Sequence, residues 1–224
     1  MKKRILFASL RERLYEALKE DIILNKYKPG AELQIHKLAE EFGVSSTPIR
    51  EALMRLEGAG LVVSIPNRGV QVAPICLADV KNIYEIRCLL EPHVAKTAAR
   101  LCKREEVDKF YHELQEIMQG PTDLTTYINA DLELSQLLTR YLDNALLKEI
   151  LEQIDHHSIR IRYLAESKAG GLEREIVEQV TKEHLKILDG VRNRDEEQAA
   201  AATRQHLANA KARALQALAK VLDS

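Results

Sequence analysis

Residues 36–73, HKLAEEFGVSSTPIREALMRLEGAGLVVSIPNRGVQVA, constrain the fold more than any other part of the chain. Apolar residues recur at helical spacing on either side of Gly43, and a glycine suits the left-handed backbone that often ends a helix. Pro48 fits the first turn of the second helix, where no amide partner is lost. A side-chain cap for that helix is available from Ser45, Ser46 or Thr47. The pattern therefore predicts two short helices joined by a tight turn.

The second of these helices is predicted to have one buried face and one exposed face. The buried face is formed by Ile49, Ala52, Leu53 and Leu56. That spacing leaves Arg50 and Met54 exposed. Two β-rich runs follow, 61–65 and 70–73, with Arg68 near the tip of the turn between them. A helix presented in this way is what a helix-turn-helix inserts into the DNA major groove, and the hairpin after it is a wing.

This stretch resembles the GntR family of bacterial transcription regulators. The similarity rests on KPGAELQIHKLAEEFGVSSTPIREALMRLEGAGLV and on the wing IPNRGVQVAP. It implies DNA contacts from His36, Ser45, Ser46, Thr47, Arg50, Arg68 and Gly69. His36 and Ser46 stand where the family often has arginine, which leaves room for a different operator half-site.

The composition indicates a mainly helical protein with two domains. The chain has 224 residues, 46% of them hydrophobic and only 4% aromatic, which favours helices packed by leucine, isoleucine and alanine. Residues 1–75 carry 12 Lys and Arg against 9 Asp and Glu, a net charge of +3; the rest carries 21 against 25, a net −4. A mildly basic domain (1–75) and an acidic one (76–224) suit a DNA-binding module joined to a part that does not touch DNA.

The sequence predicts neither secretion nor membrane insertion. Cys76, Cys88 and Cys102 are odd in number and lack CxxC spacing, which fits a reducing compartment better than a disulfide framework or a zinc ribbon. The apolar run ILFASL is shorter than a signal-peptide core, and no run approaches the length of a membrane span. We therefore expect a cytoplasmic protein with no membrane partner.

From residue 78 onward the periodicity is helical throughout. The predicted helices are 78–101, 104–119, 122–141, 144–168, 172–193 and 195–222. Short loops between them predict an antiparallel all-α bundle. This region resembles the FCD branch of the family, a helical ligand-sensing domain, through IYEIRCLLEPHVAKTAA, NADLELSQLL and EHLKILDGVRNRDEEQAAAATRQHL.

Two histidines of this region are predicted to meet. His184 and His206 lie at similar distances before and after the turn at 194–195, and equal distances from a turn give equal heights in an antiparallel helix pair. Neutral imidazole is a common metal ligand, and Asp131 on an earlier helix is a candidate oxygen ligand. The alternative is that both histidines are hydrogen-bonded core groups.

In metal-binding members of this branch, the resemblance implies an aspartate, a histidine four residues later and two histidines matching His184 and His206. Asp131 supplies the aspartate, but Ser135 stands where the next ligand would be. A divalent ion (zinc, nickel or manganese) is therefore expected to bind weakly to Asp131, His184 and His206, with water or an effector carboxylate completing the site. The predicted effector-binding set is Arg87, Asp131, Ser135, His184 and His206.

Arg87 could act in two ways. It lies among apolar residues of the first bundle helix, and a buried arginine needs an anionic partner. That partner is either an effector carboxylate or Glu91, four residues later on the same helix. Arg160 and Arg162 are further candidate clamps, with an exposed surface position as the alternative.

The combined prediction is a homodimeric, sequence-specific DNA-binding regulator, expected to be a repressor, controlled by a small organic acid in the helical domain. A dimer is expected because one winged helix reads only a few base pairs. The alternative is a metal-dependent enzyme using Asp131, His184 and His206. The sequence has no nucleophile–base pair, phosphate-binding glycine loop or zincin-like glutamate to support it. A helical partner-binding protein, the third alternative, would leave the wing unexplained.

Overall fold

The structure is a computed structural model that describes the backbone of residues 2–66, 68–120, 124–168 and 174–222. Side chains are described over the same ranges except residues 2–9, 124, 165–168 and 221–222. The chain divides into two compact units, Met1–Ile75 and Cys76–Ser224. Of the helices in these ranges, none combines the length and the apolar character that a bilayer crossing requires.

The first unit combines helices with a small antiparallel sheet. Its elements are α1 (Lys2–Ile23), β1 (Glu32–Leu33), α2 (Ile35–Glu41), α3 (Ser46–Gly58), β2 (Val62–Ile65) and β3 (Gly69–Val72). β3 is the central strand, with β2 on one side and β1 on the other. The predicted winged helix-turn-helix is confirmed, but the sheet has a third strand that the sequence did not predict. A two-residue strand is too short to show the alternation by which strands are detected.

The turn between α2 and α3 follows the predicted chemistry only in part. Gly43 has φ +62°, and its amide donates to the carbonyl of Glu40. This is the left-handed ending expected of a helix-terminal glycine. Ser45 is the N-cap residue of α3, but its side chain makes no capping hydrogen bond, so the predicted side-chain cap is wrong. The backbone closes the turn instead, because the Val44 amide donates to the Ala39 carbonyl at 2.9 Å.

The second unit, over its described residues, is a bundle of six helices. They are α4 (Leu77–Leu101), α5 (Arg104–Gln119), α6 (Leu124–Thr139), α7 (Ala145–Lys168), α8 (Arg174–Arg192) and α9 (Glu196–Leu222). The first helix, α4, packs along the last, α9, and α8 packs against both. The predicted all-α bundle is confirmed; the predicted breaks at 121 and at 170–171 lie outside the described residues.

A glycine sets the spacing between α8 and α9. A Cβ placed on Gly190 would lie 2.4 Å from the backbone nitrogen of Ala199 and 2.7 Å from its Cα. Backbone atoms cannot rotate away as a flexible side chain would, so this close approach requires glycine. The same two helices carry His184 and His206, so their close packing brings the two imidazoles towards each other.

Candidate DNA interface and candidate buried ligand site

The start and one side of α3 face solvent. Ser46, Thr47 and Arg50 are exposed, whereas Ile49 between them is fully buried. Met54, one turn beyond Arg50, is 70% exposed. A large apolar side chain left this open beside an arginine suits a surface that closes on a groove, where it can meet a thymine methyl group.

The two arginines of α3 have different roles. Arg55 donates two hydrogen bonds to the carboxylate of Glu12 on α1, at 2.8 and 3.0 Å. Its guanidinium also lies over the Tyr15 ring, 3.8 Å from the centroid. Arg50 enters none of the ion pairs found in the described part of the chain. Arg55 therefore fastens α3 to α1, and Arg50 is available for a nucleic-acid contact.

The other residues predicted to contact DNA are also exposed. His36 in the first turn of α2 and Ser45 before α3 face solvent, as do Arg68 and Gly69 at the end of the wing. Gly69 has φ +83°, a conformation that side chains disfavour. The Arg68 amide donates to the Ile65 carbonyl at 3.0 Å and closes the wing turn. All of the predicted DNA-contact positions are thus accessible, on α2, α3 and the wing.

In the second unit the two histidines meet, as predicted. The ring centroids of His184 and His206 are 4.9 Å apart, and the rings are inclined at 61°. Asp131 on α6 faces both rings, with Oδ1 3.2 Å from His184 Nε2 and 3.5 Å from His206 Nε2. One ligand atom from each residue lies within 4.8 Å of the others. Both rings are buried, and the Asp131 side chain is 11% exposed.

Two arginines for which the sequence allowed a surface position are buried. Arg162 on α7 forms an ion pair with Asp131 Oδ2, and its side chain is 10% exposed. Arg160 is 2% exposed. The surface alternative is wrong for both because residues 158–162 are buried without interruption, so this part of α7 is covered on all sides.

Glu183 is a further candidate site residue that the sequence did not predict. Its carboxylate accepts hydrogen bonds from His206 Nδ1 at 2.9 Å, from Asn209 at 2.8 Å and from two nitrogens of Arg213 at 3.0 and 2.9 Å. A carboxylate on one ring nitrogen orients the imidazole, and here it directs Nε2 towards Asp131. One feature of the sequence could have indicated this. The three donors, His206, Asn209 and Arg213, recur at helical spacing and therefore share one face of α9.

The charges around the two rings shift their pKa values in opposite directions. Burial alone would lower the pKa of His206, but hydrogen bonds to Asp131 and Glu183 outweigh it and raise that pKa. Burial and the neighbouring His206 lower the pKa of His184. Burial would raise the pKa of Asp131, yet Arg162 and the two histidines hold it well below its usual range. Of these two buried histidines, His206 is therefore the one that is protonated more readily.

Ser135 has an internal partner. Its hydroxyl donates to Asp155 Oδ2 on α7 at 2.7 Å. Burial raises the pKa of the Asp155 carboxyl to about 6. The position four residues after Asp131 thus links α6 to α7 and supplies no nitrogen ligand.

Arg87 pairs with Glu91, one of the two partners that the sequence allowed, and one of its nitrogens takes no part in that pair. Nε and Nη2 donate to the Glu91 carboxylate at 2.5 and 3.3 Å. Nη1 is buried and has no hydrogen-bond partner among the described residues. The pair with Glu91 therefore exists, while an effector contact through Nη1 stays a prediction.

A cavity of about 20 Å³ adjoins the cluster. Its lining includes Tyr84, Tyr127, Asp131, Arg162, His206, Ala210, Arg213 and Ala214. A space of this size holds about one water molecule, so an organic acid needs the surrounding side chains to move.

The donor set suits a divalent ion in part. Two imidazoles and a carboxylate are common ligands, and Glu183 behind His206 is the kind of outer partner that such ligands have. Two features weaken the fit. Arg162 already pairs with one oxygen of Asp131, and His184 Nδ1 is buried with no hydrogen-bond partner in the described ranges. The set therefore provides three ligands, one of which is shared with an arginine.

Comparison with known proteins assigns both units. The family described as bacterial regulatory proteins, gntR family, matches residues 10–72, and the FCD domain matches residues 82–209. The chain belongs to the GntR family. It is a DNA-binding transcription regulator with an FCD domain and not an enzyme, as the sequence predicted.

Relatives match the GntR-family chain across both units. It is 29% identical over 201 residues to the HTH-type transcriptional regulator YdhC of Bacillus subtilis strain 168, covering 87% of this chain and 84% of that protein. It is 29% identical over 198 residues to the HTH-type transcriptional repressor RspR of Escherichia coli K12, covering 88% and 85%. The solved structure of E. coli McbR/YncC has a TM-score of 0.80 at 20% identity, covering 92% of this chain and 97% of that one, which shows a shared fold.

Proposed function

We propose that this regulator is a homodimeric repressor that leaves its operator when a small carboxylate binds in the second unit. The observation that carries the proposal is the concentration of charge inside the bundle, where Arg87, Arg162, Asp131 and Glu183 are all at most 9% exposed. Burying charged groups costs stability unless each is paired. Charged groups kept in a core beside a cavity are therefore candidates for ligand binding.

The carboxylate is proposed to meet the cationic side of the cluster. Arg162 and Arg213 line the cavity together with His206. Arg87 Nη1 is a further donor, buried and with no hydrogen-bond partner among the residues that the structure describes. Guanidinium groups bind carboxylates in a bidentate geometry, so a small organic acid is the ligand class that these donors favour.

A divalent ion is proposed as a weak component of the same site. Asp131, His184 and His206 would hold it, and when bound it would supply a positive anchor for the effector carboxylate. Zinc, nickel and manganese all accept such mixed ligands. The hydrogen bond from Ser135 to Asp155 is the reason to expect weak binding, because it leaves three protein ligands.

In the first unit, Arg50 is proposed to contact a base edge or a phosphate in the major groove, and Arg68 to enter the minor groove beside Gly69. The exposure of both arginines supports this assignment. His36, Ser45, Ser46 and Thr47 are proposed to contact the backbone or bases around them. Phosphate contacts fix the register of the protein on DNA, while base contacts provide the sequence specificity.

The test begins with a gel shift on DNA from upstream of the protein's own gene. Small organic acids are screened by thermal shift, and acids that stabilise the protein are added to the gel shift. We expect at least one of them to release the DNA from wild type but not from His206→Ala. The control is His112→Ala, which changes an exposed histidine on α5. Stabilising acids that leave the complex unchanged would refute effector control.

The dimer is tested separately. Sedimentation of the full chain should give a dimer, and residues 1–75 alone should bind the operator more weakly than the full chain. A full-length monomer that binds the operator with full affinity would contradict this part of the proposal.

A further inference from the structure

We infer that Met54 is a specificity-determining residue, whose side chain packs against the 5-methyl group of a thymine when the protein is bound to its operator. The inference rests on the proposed placement of α3 in the major groove. It adds a contact with an apolar part of a base to the polar contacts that are proposed for Arg50 and its neighbours.

Met54 differs from the other aliphatic side chains of α3 in its exposure. The apolar face of this helix is buried in the first unit and consists of Ile49, Ala52, Leu53 and Leu56. Met54 is 70% exposed and belongs to neither of the apolar cores that the described residues form. Packing within the first unit therefore does not account for an apolar side chain at this position.

Met54 lies on the same side of α3 as two residues that are proposed to contact DNA. Residues three, four and seven positions apart share one side of a helix, and Thr47, Arg50 and Met54 have this spacing. All three side chains are exposed. Met54 is one turn beyond Arg50, an advance of about 5.4 Å along the helix. A groove that receives Thr47 and Arg50 is therefore within reach of Met54.

The neighbouring side of α3 is already occupied by α1. Glu51 pairs with Arg11 of α1 at 2.8 Å, and Arg55 is bonded to a carboxylate of the same helix. These two ion pairs hold the side chains of α3 that extend towards α1. They leave the side that carries Arg50 and Met54 open to a partner outside the first unit.

The chemistry of the major groove identifies the base that Met54 favours. Base edges present hydrogen-bond donors and acceptors there, and the 5-methyl group of thymine is the apolar exception. A thioether is a weak acceptor and no donor, so against a polar edge it would displace water without replacing the lost hydrogen bonds. Against a methyl group it buries apolar surface, and its flexible chain can adjust to the position of that group. Met54 therefore favours thymine.

A methyl scan of the operator tests the inference on the full-length protein. The operator is selected from a random-sequence DNA library, and each of its thymines in turn is replaced by deoxyuridine, which lacks only the 5-methyl group. Fluorescence anisotropy measures the affinity for each DNA. We expect one replacement in a half-site to weaken the binding of wild type about threefold, the size expected for one buried methyl group. The same replacement should have no effect on the binding of Met54→Ala.

Met54→Leu is the matched control, because it keeps an apolar side chain and should retain the sensitivity to the methyl group. Leu24→Ala shortens an exposed apolar side chain outside α3 and should behave as wild type does. Circular dichroism establishes that each variant is folded.

Wild-type binding that is insensitive to every replacement would overturn the inference, as would replacements whose effects all persist in Met54→Ala. Weaker operator binding by folded Arg50→Ala, without any methyl effect that depends on Met54, would refute this inference alone. A methyl effect that depends on Met54, together with unchanged binding by Arg50→Ala, would support this inference and refute only the proposed role of Arg50.

Discussion

In the first unit, Arg50 and Arg68 extend into solvent from the start of a helix and the end of a hairpin, whereas in the second unit Asp131, Arg162 and His206 are enclosed by packed helices. An exposed arginine can be changed with little effect on folding. A buried and paired charge cannot, because its partner is left in a low-dielectric interior. Substitutions in the first unit can therefore change DNA binding without changing stability. Substitutions of the buried charges in the second unit change stability as well as any ligand binding.

The largest effect is expected from breaking a buried carboxylate network. Glu183→Ala leaves Arg213 and His206 without their shared anion and should destabilise the second unit by about 3–5 kcal/mol. Urea unfolding, followed by circular dichroism, measures the loss. The counterpart is Glu12→Ala, which removes the exposed partner of Arg55 and should change stability little. Equal losses from the two variants would break the comparison.

Two glycines, one in each unit, test the contrast between the buried second unit and the exposed surface of the first unit without changing any charge. Gly190→Ala forces a Cβ against the backbone of Ala199 and should cost about 1–3 kcal/mol, since α8 and α9 must separate. Gly58→Ala in α3 meets no atom within 4 Å and should leave stability unchanged or raise it by up to about 1 kcal/mol. Thermal unfolding of the two variants provides the measurement. A Gly190→Ala protein as stable as wild type would mean that the helices adjust freely.

Operator binding should separate the two arginines of α3. Arg50→Ala should weaken specific binding by about 1–3 kcal/mol if Arg50 reads a base, with unchanged unfolding. Arg55→Ala should leave operator affinity unchanged and lower stability slightly, mainly because the stacking of Arg55 over Tyr15 is lost. Fluorescence anisotropy on labelled operator and urea unfolding give the two values for each variant. Unchanged operator affinity in folded Arg50→Ala would remove Arg50 from the interface.

The smallest effect concerns pH. The Asp155 carboxyl has a pKa of about 6 in the folded protein against an ordinary value of 3.8, so the folded state binds its proton more tightly. Its contribution to stability therefore grows as the pH falls from above 6 towards 4, and it is a penalty above 6. Asp155→Asn should be more stable than wild type by about 1 kcal/mol at about pH 7.5, and this advantage should shrink by about pH 4.5. An advantage that is equal at both pH values would contradict the assignment.

The residues of the first unit could be assigned from sequence because local chemistry determines their positions. Gly43 ends α2, Pro48 lies in the first turn of α3, and Arg50 is exposed although its neighbour Ile49 is buried. The strand β1 escaped prediction because its pairing with β3 depends on residues far along the chain. The meeting of His184 and His206 was predictable for a similar reason, since a single short turn relates their helices.

The rest of the buried cluster was not predictable in this way. Arg162 reaches Asp131 from a different helix, 31 positions along the chain, and nothing near either residue indicates the pairing. Glu183 and Arg213 are 30 positions apart. An arginine on a helix looks the same in sequence whether it faces water or a carboxylate. Only the packing of the whole bundle distinguishes the two cases.

The pairing of α4 with α9 has a consequence for synthesis on the ribosome. The second unit joins its first helix to its last, and the last helix carries His206 and Arg213. At about 5–20 residues per second, the chain after residue 75 takes roughly 7–30 s to be made. During that time a nascent chain can already hold a folded winged helix while its proposed ligand site lacks one wall. DNA recognition can therefore be acquired before the proposed ligand site is complete.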